Sequence, residues 1–234
     1  MSIDASGVGT ADRVRVELAH RGWACMRRSI SEREFGEIAR HLGEVGSRTD
    51  IMVDPALDAE QRHGRTIDPE RPSVYQEAEL DFHTDRPTVD VIGWYCVTPD
   101  GEAGANLLID TSGMTERFTD ADFDALSEVR VRYSLPDAAG QEVMADAPLI
   151  TRVGTGVKVF FVPWQVTPPT DERRAGALGG FVRYLEGEVD RDCLRIRLDA
   201  GQCLFVDNHR MLHGRGALAA GSRRHLVRLY IRNR

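Results

Sequence analysis

The chain has 234 residues, a length at which one domain can bury a full hydrophobic core. Hydrophobic residues make up 41% of it and charged residues 29%, a balance that excludes collagen-like, fibrous and disordered chains. The formal net charge of −7 argues against a nucleic-acid partner, because such a surface needs clustered positive charge.

The composition also predicts a cytoplasmic protein. The four cysteines are scattered without a Cys-x-x-Cys pair, so we interpret them as reduced thiols. Residues 1–10 are polar and rich in small residues, which predicts a flexible tail and no signal peptide. No apolar run approaches the ~18 residues of a membrane span, so no membrane partner is expected. Residues 11–234 are then expected to form a single domain.

The N-terminal part predicts a helix over residues 12–20, a short strand over 23–26 and a second helix. Ser31 and Glu34 have the spacing of a capping box, in which each side chain bonds the backbone N–H of the other residue. The apolar residues that follow have helical spacing and are Phe35, Ile38, Ala39 and Leu42.

Residues 47–72 predict a long loop. They are polar, contain Pro55, Pro69 and Pro72, and show no helical or strand periodicity. Two interpretations stay open, a functional loop or lid and a variable surface loop.

From residue 80 onward, short apolar runs separated by Gly, Pro and Asp predict strands. They cover residues 89–97, 107–109, 129–135, 149–153, 157–162, 194–198, 203–206 and 226–231. Helices are predicted after Thr119 and after Thr170, the second with Asp171 and Glu172 in its first turn. Many short strands with few helices favour a mainly β domain of the sandwich or jelly-roll type.

The first motif whose side chains could bind a metal or take part in a reaction is His83-Thr84-Asp85. Residues two apart on a strand share a face, so His83 and Asp85 can approach one site while Thr84 points away. Alone, such a motif is more often a surface pair than a metal site, and a metal site would need a further ligand.

A polar stretch from Asp207 to Arg215 follows the apolar strand 203–206. Such a turn is where a jelly roll presents ligands at its open end. One histidine from this turn would join His83 and Asp85 in a 2-His-1-carboxylate triad, which suits Fe(II) and oxygen chemistry. His209 and His213 are both candidates for that third ligand.

The last predicted strand alternates between two faces. One face carries Arg224, Leu226, Arg228, Tyr230 and Arg232, and the other is nearly all apolar and is expected to pack under helices. Buried arginines are costly unless an anion meets them, and a carboxylate matches the planar guanidinium. The pattern therefore predicts a dicarboxylate ligand near the metal.

Taken together, His-Thr-Asp at 83–85, Asp-Asn-x-Arg-x-x-His-Gly-Arg at 207–215 and the arginines at 224 and 228 resemble the TauD/TfdA and clavaminate-synthase-like dioxygenases. The resemblance covers most of the chain, and residues 207–232 are especially similar to the clavaminate-synthase-like amino-acid hydroxylases. It implies a double-stranded β-helix (a cupin-like jelly roll) with flanking helices. It also implies Fe(II) and O2, with 2-oxoglutarate as cosubstrate.

The resemblance further implies a set of iron ligands. His83, Asp85 and His213 match the positions that bind iron in the family, which favours His213 over His209. Related halogenases lack the carboxylate and bind chloride in its place. Asp85 therefore indicates hydroxylation or desaturation.

For the cosubstrate, Arg224 matches the arginine that binds the distal carboxylate of 2-oxoglutarate. Arg228 matches a position that supports either the cosubstrate or an anionic group of the substrate. Asn106 stands where the family commonly has a threonine that helps to bind the distal carboxylate, and an amide can also donate a hydrogen bond there.

The expected reaction is hydroxylation of an unactivated C–H bond in a small polar metabolite, an amino acid or a derivative. Candidate substrate-binding residues are Gln76, Glu77, Asp81, Phe161 and Trp164. Either of the two acids would meet an ammonium or guanidinium group. The alternatives are that the residues near 76–81 form ordinary surface and that the two aromatic residues pack in the core.

Three other functions stay open at this point. A desaturase or cyclase would use the same iron site. A metal-binding jelly roll without catalytic activity is a second alternative, but it has no use for Arg224 on the inner face. A zinc hydrolase with the same three ligands would not bind 2-oxoglutarate, so a titration with that compound would separate it from an oxygenase.

Overall fold

The protein is described here from a computed structural model, which covers residues 9–53, 74–136 and 141–233. In chain order its elements are α1 (Thr10–Arg21), β1 (Trp23–Met26), α2 (Glu32–Leu42), β2 (Glu44–Met52), β3 (Leu80–His83), β4 (Val91–Thr98), β5 (Asn106–Asp110), α3 (Met114–Arg117), α4 (Asp120–Glu128), β6 (Arg130–Pro136), β7 (Glu142–Pro148), β8 (Ile150–Val153), β9 (Gly156–Val159), a 3-10 turn (Pro163–Gln165), α5 (Glu172–Asp192), β10 (Leu194–Ile196), β11 (Cys203–Asp207), β12 (Met211–Arg215) and β13 (His225–Arg232).

Two antiparallel sheets form the framework of the fold. The larger has the strand order β1-β11-β4-β13-β2, and the smaller has the order β10-β5-β12-β3. Apolar side chains of both sheets meet in one buried cluster, in which Trp94 and Leu226 of the larger sheet join Leu108 and Met211 of the smaller. Two hairpins, β6-β7 and β8-β9, extend this framework.

Helices cover the outer faces of both sheets. Phe35 of α2 packs with Val227 and Leu229 of β13, so the apolar face of the last strand lies under helices as its alternation predicts. On the smaller sheet, Phe181 of α5 belongs to a cluster with Leu212 of β12. This mainly β sandwich with flanking helices confirms the predicted fold class.

The second helix begins as predicted at its N-cap but lacks the reciprocal contact. The Ser31 hydroxyl accepts a hydrogen bond from the Glu34 backbone N–H at 3.1 Å. The Glu34 carboxylate pairs with Arg28 instead of reaching back to Ser31. A complete capping box is found at α4, where Thr119 and Asp122 bond each other's backbone N–H groups.

The prediction of a loop over residues 47–72 is wrong for residues 47–52. These residues continue β2, whose Thr49 stands opposite Arg228 of β13. Because β2 is an edge strand with mostly exposed side chains, backbone pairing holds it without an apolar pattern. The remainder of the predicted loop from residue 54 lies outside the described residues.

Three further strands have no counterpart among the predictions, namely β3, β7 and β12. The last of these was predicted as part of a polar turn, yet all five of its residues are buried. Its polar side chains face the interior of the fold. Polar residues are also typical of surface turns, so the sequence alone does not distinguish such a turn from a strand that forms a site. In the described part of the chain, no helix is long and apolar enough to cross a membrane.

Candidate metal and cosubstrate site

The three predicted metal ligands lie close together at strands β3 and β12 of the smaller sheet; they are His83, Asp85 and His213. Strands β3 and β12 pair antiparallel with His213 directly opposite His83. Asp85 follows two residues after His83, and its carboxylate oxygens lie 3.9 Å from His83 Nε2 and 3.8 Å from His213 Nε2. One ligand atom from each residue lies within 4.8 Å of the others, so the three can hold a single ion.

The protonation states also suit a metal ion. Burial, with a smaller contribution from the neighbouring His83, lowers the pKa of His213 to about 3. Burial likewise lowers the pKa of His83, although Asp85 opposes this shift. Burial raises the pKa of Asp85, but Arg228 and the two histidines outweigh it and hold that pKa below its ordinary value. Two neutral imidazoles and one carboxylate are the donor set of a facial triad for Fe(II).

Backbone contacts fix the carboxylate ligand in place. The Asp85 N–H donates to Asn208 Oδ1 at 2.8 Å, and Asn208 Nδ2 donates to the carbonyl of Val89 at 2.9 Å and to that of Arg86 at 3.3 Å. Asn208 is 1% exposed, so its side chain has no room to reorient. It ties the turn after β11 to the turn after β3.

Thr84 points away from the metal ligands, as the alternation predicts. Its hydroxyl accepts from the Phe161 N–H at 2.9 Å, and its own N–H donates to the Phe161 carbonyl at 2.7 Å. These bonds bring the segment after β9 against the metal motif. The Trp164 ring consequently lies 5.5 Å from the ring of His83.

His209 does not join the metal ligands. Its Nε2 lies 3.3 Å from Asp90 Oδ1, an oxygen that Lys158 also approaches at 3.4 Å. Of the two histidines that were candidates for the third ligand, the structure therefore brings only His213 to His83 and Asp85.

Arg224 is buried and Arg228 is partly buried beside the metal ligands. One cavity is lined by His83, His213, Asn106, Arg215, Arg224 and Arg228. Arg228 Nη1 donates to Asp85 Oδ2 at 3.2 Å, and its guanidinium lies over the Tyr230 ring at 4.6 Å. Arg224 Nη2 donates to Asn106 Oδ1 at 3.0 Å. Burial, with a smaller contribution from the charge of Arg215, lowers the pKa of Arg224 to about 10.

Asn106 makes contacts that differ from the direct bond to the distal carboxylate expected of a threonine at this position. Its carbonyl oxygen accepts from Arg224, while its Nδ2 donates to the Ile196 carbonyl at 3.1 Å. In this arrangement Asn106 orients the guanidinium of Arg224, because its amide donor is already bonded to the neighbouring strand.

The five candidate substrate-binding residues fall in different surroundings. Trp164 is half-buried beside His83, whereas Phe161 is buried and packs edge-on against Phe181 at 5.1 Å. The Glu77 carboxylate accepts from the Gly221 N–H at 2.6 Å. The Gln76 carbonyl accepts from Arg215 at 2.6 Å. Asp81 is exposed, and its carbonyl accepts from His83 Nδ1 at 2.7 Å if that nitrogen carries the proton.

Three residues at the site were not singled out from the sequence. Asn208 and Arg215 belong to the motif at 207–215, but their contacts reach segments more than a hundred residues away. Arg215 could have been found from the sequence, because side chains two residues apart on a strand share a face and Arg215 follows His213 by two residues. Trp94, whose ring lies edge-on to His213 at 5.2 Å, comes from a strand that looks like ordinary core.

A double-stranded β-helix with a 2-His-1-carboxylate triad, and with arginines in the cavity that the two histidines line, is typical of the class of non-haem iron oxygenases that use 2-oxoglutarate. The sequence model of the family "Taurine catabolism dioxygenase TauD, TfdA family" matches residues 4–230. The chain therefore belongs to this family, which confirms the resemblance found in its motifs. No curated protein sequence matches the chain.

Solved structures of iron oxygenases share the fold. An asparagine oxygenase in complex with Fe(II), 2S,3S-3-hydroxyasparagine and succinate has a TM-score of 0.69 and 19% identity over 95% of this chain and 78% of that chain. The non-heme iron oxygenase OrfP with Fe, succinate and (3R,4R)-dihydroxy-L-Arg also has a TM-score of 0.69 and 19% identity, over 97% and 81% of the two chains. OrfP in complex with Fe and alpha-ketoglutaric acid has a TM-score of 0.68 and 19% identity, over 97% of this chain and 80% of that chain.

Proposed function

We propose that this protein is a hydroxylase that uses Fe(II), 2-oxoglutarate and O2 to oxidise an unactivated C–H bond of an amino acid or a close derivative. One observation carries the proposal: both histidines of the metal-binding triad line a single cavity with Arg224 and Arg228, and Asp85 lies against those two histidines. A 2-oxo dicarboxylate needs a metal at one end and a cation at the other. A zinc hydrolase or a simple metal store needs no such cation.

His83, Asp85 and His213 are the proposed metal ligands. Iron, with the cosubstrate and O2, supplies the oxidising chemistry when bound. The chain itself keeps Asp85 ionised through Arg228 and keeps the histidines neutral through burial. Trp94 and Trp164 stand against the two histidine rings and limit the access of water to the metal.

Arg224 is the proposed partner of the distal carboxylate of 2-oxoglutarate. Asn106 holds its guanidinium from the side, which leaves the remaining N–H groups for a bidentate contact. Arg228 lies nearer the metal because it is bonded to Asp85, and we assign it to the metal-side carboxylate of the cosubstrate or to an anionic group of the substrate.

The substrate is proposed to be a small molecule with an ammonium group. The solved oxygenases of this fold that hold hydroxylated asparagine and arginine support an amino-acid substrate. Of the two candidate acids, Asp81 is favoured because it is exposed two residues before His83, while Glu77 already accepts from Gly221. Gln76 and Trp164 are proposed as neighbouring walls, and Phe161 supports them from the core.

We also propose that residues 11–234 form the catalytic domain and that the enzyme acts in the cytoplasm. The four cysteines are all unpaired, as expected in a reducing compartment.

The function is tested by titrating Fe(II)-loaded protein with 2-oxoglutarate under anaerobic conditions and recording the visible charge-transfer band. We expect a band in the wild type, no band in Asp85→Ala and weaker binding in Arg224→Ala. Asp190→Ala and Arg183→Ala change exposed residues of α5 and serve as matched controls that keep the wild-type titration. Absence of a band from folded, iron-loaded wild type would overturn the oxygenase function.

The substrate class is tested next by a screen of amino acids for succinate release. For the best substrate, Asp81→Asn is expected to raise KM about tenfold, because a charge-assisted hydrogen bond to the ammonium group is lost. The affinity for 2-oxoglutarate should stay unchanged. An unaltered KM would remove Asp81 from the substrate site.

A further inference from the structure

Arg215 is a third arginine at the cosubstrate cavity. It lies on β12 two residues after His213, on the same face of the strand, and is 4% exposed. Its Nη1 donates to the Val74 carbonyl at 3.1 Å, and its Nη2 donates to the carbonyls of Gln76 at 2.6 Å and Ala78 at 2.5 Å. One guanidinium thus holds the whole segment 74–78, which precedes the metal motif.

The bonding of this guanidinium is incomplete. Its Nε is buried and has no hydrogen-bond partner among the residues that the structure describes. A buried N–H without an acceptor costs free energy, so its retention calls for a ligand that accepts from it. The cavity that Arg215 lines with Arg224 is the place where such an acceptor can enter.

The charges around Arg215 also call for an anion. Arg228 is neutralised by Asp85, whereas Arg215 and Arg224 face the same cavity and form no ion pair with a carboxylate among the described residues. The charge of Asp100 acts on both guanidinium groups, but its oxygens already accept from Ser222 Oγ at 2.5 Å and from the Ala219 N–H at 2.9 Å. The two guanidinium groups repel each other, and Arg215 helps to lower the pKa of Arg224. One carboxylate placed between them would relieve this repulsion.

We propose that Arg215 is a positioning residue of the cosubstrate site, which with Arg224 selects a dicarboxylate 2-oxo acid over a monocarboxylate one. It does so through its positive charge and its unpartnered Nε–H. Its bonds to the carbonyls of 74–78 hold that segment against the cavity in the geometry that the selection requires. This inference rests on the proposed function, because it concerns the same cavity.

The test compares two ligands that differ only at the distal end. 2-Oxoglutarate and 2-oxovalerate share the metal-binding 2-oxo acid, but 2-oxovalerate lacks the second carboxylate. Their Kd values are measured anaerobically on Fe(II)-loaded protein from the charge-transfer band. Arg215→Gln is expected to weaken the binding of 2-oxoglutarate about tenfold, which corresponds to the loss of one charge-assisted hydrogen bond. The binding of 2-oxovalerate should weaken less than about twofold.

Two variants control this comparison. Arg215→Lys keeps the charge but lacks the Nε–H and cannot hold three carbonyls with a planar fork, so it should keep only part of the dicarboxylate preference, at reduced thermal stability. Arg183→Gln removes an exposed arginine of α5 and should leave both Kd values unchanged. Equal weakening of both ligands in Arg215→Gln, or no weakening, would overturn the proposal and leave Arg215 with a structural role only.

A measurement on the wild type covers the case in which Arg215→Gln does not fold. Hydrogen exchange at the amides of residues 74–78 should slow on addition of 2-oxoglutarate and not on addition of 2-oxovalerate at equal saturation. Equal slowing by both ligands would contradict the proposal. A wild type that gives no charge-transfer band with either ligand would instead defeat the proposed function itself.

Discussion

At the scale of single residues, Asp85 combines a chemical role with an unusual number of supports. Burial would favour its protonated form, but Arg228 and two histidines surround it and keep it ionised. Its backbone N–H is bonded by Asn208, which stands 123 positions later in the chain. The ligand types at such a site follow from metal chemistry, whereas the residues that hold the ligands depend on the fold.

Asn208→Ala is expected to weaken Fe(II) binding about tenfold, the lower end of what loss of an outer contact to a ligand costs. The Asp85 N–H would lose its acceptor, and the carboxylate would no longer be held at one position. The measurement is a Fe(II) titration of folded protein. Asn233→Ala alters an exposed asparagine and should bind iron as the wild type does. Unchanged iron affinity in Asn208→Ala would contradict the expected role.

His209 is expected to contribute to the pH dependence of stability. Burial lowers the pKa of His209, and Lys158 lowers it further while Asp90 opposes the shift. A histidine in the unfolded chain takes up a proton near pH 6.5, before the folded chain does at lower pH. Below that pH the unfolded state binds more protons, so the contribution of His209 is present above about pH 6.5 and is lost as the pH falls.

His209→Gln should therefore show a smaller loss of unfolding free energy than the wild type between about pH 7 and about pH 5. Urea unfolding at several pH values measures this difference, with both proteins in the same metal state. Val16, an exposed residue that does not titrate, provides the control, since Val16→Ala should keep the wild-type slope. A slope in His209→Gln equal to that of the wild type would refute the assignment.

At the scale of elements, the pairing of β3 with β12 sets the distance between the two histidine ligands. Gly214 follows His213 on β12, and a Cβ atom built there would lie 2.7 Å from the Leu80 carbonyl oxygen. The closely approaching backbone of β3 therefore requires a residue without a side chain. This contact is a property of two strands together, because Gly214 and Leu80 are far apart in the chain.

Gly214→Ala is expected to lower the free energy of unfolding by about 1–3 kcal/mol, because β3 must move away from β12. The same movement separates His83 from His213, so iron affinity should also fall. Thermal unfolding and Fe(II) titration measure the two effects. Gly43→Ala, which would clash with the Arg232 carbonyl outside the site, should lower stability without changing iron affinity. Normal iron binding by Gly214→Ala would contradict this account.

At the scale of the whole molecule, the metal site joins parts of the chain that have few local reasons to meet. The metal-site residues come from strands β3 and β12 and from the turn after β3, and the arginines proposed to bind the cosubstrate come from β12 and the region of β13. Three hydrophobic clusters hold these elements in register, two beneath helices and one between the sheets. A bound ligand that bridges the strands should consequently stabilise the entire fold.

Fe(II) with 2-oxoglutarate at a hundredfold excess over its Kd is expected to add about 2.7 kcal/mol to the unfolding free energy. For a domain of this size the gain corresponds to a rise in Tm of about 5–10 °C. Differential scanning fluorimetry under anaerobic conditions measures it, and removal of the metal with a chelator should abolish it. An identical Tm with and without the two ligands would show that they do not bind the folded chain.

The sequence by itself determined the fold class, most strands of the larger sheet and the kinds of residue at the site. These features depend on periodicity, on turn residues and on the rule that a metal needs particular donors, all of which are local or chemical. Its predictions failed at β2 and β12. An edge strand needs no apolar pattern, and a strand that lines a site is polar on its inner face.

Only the tertiary structure decided which side chains contact one another. It brought His213, which the family motif already favoured over His209, to His83 and Asp85, turned Asn106 toward Arg224, bonded Glu77 to Gly221, and brought Arg215 to segment 74–78. Each of these contacts joins residues far apart in the chain. Their geometry depends on sheet register and on competition among several available partners, and sequence spacing encodes neither of these.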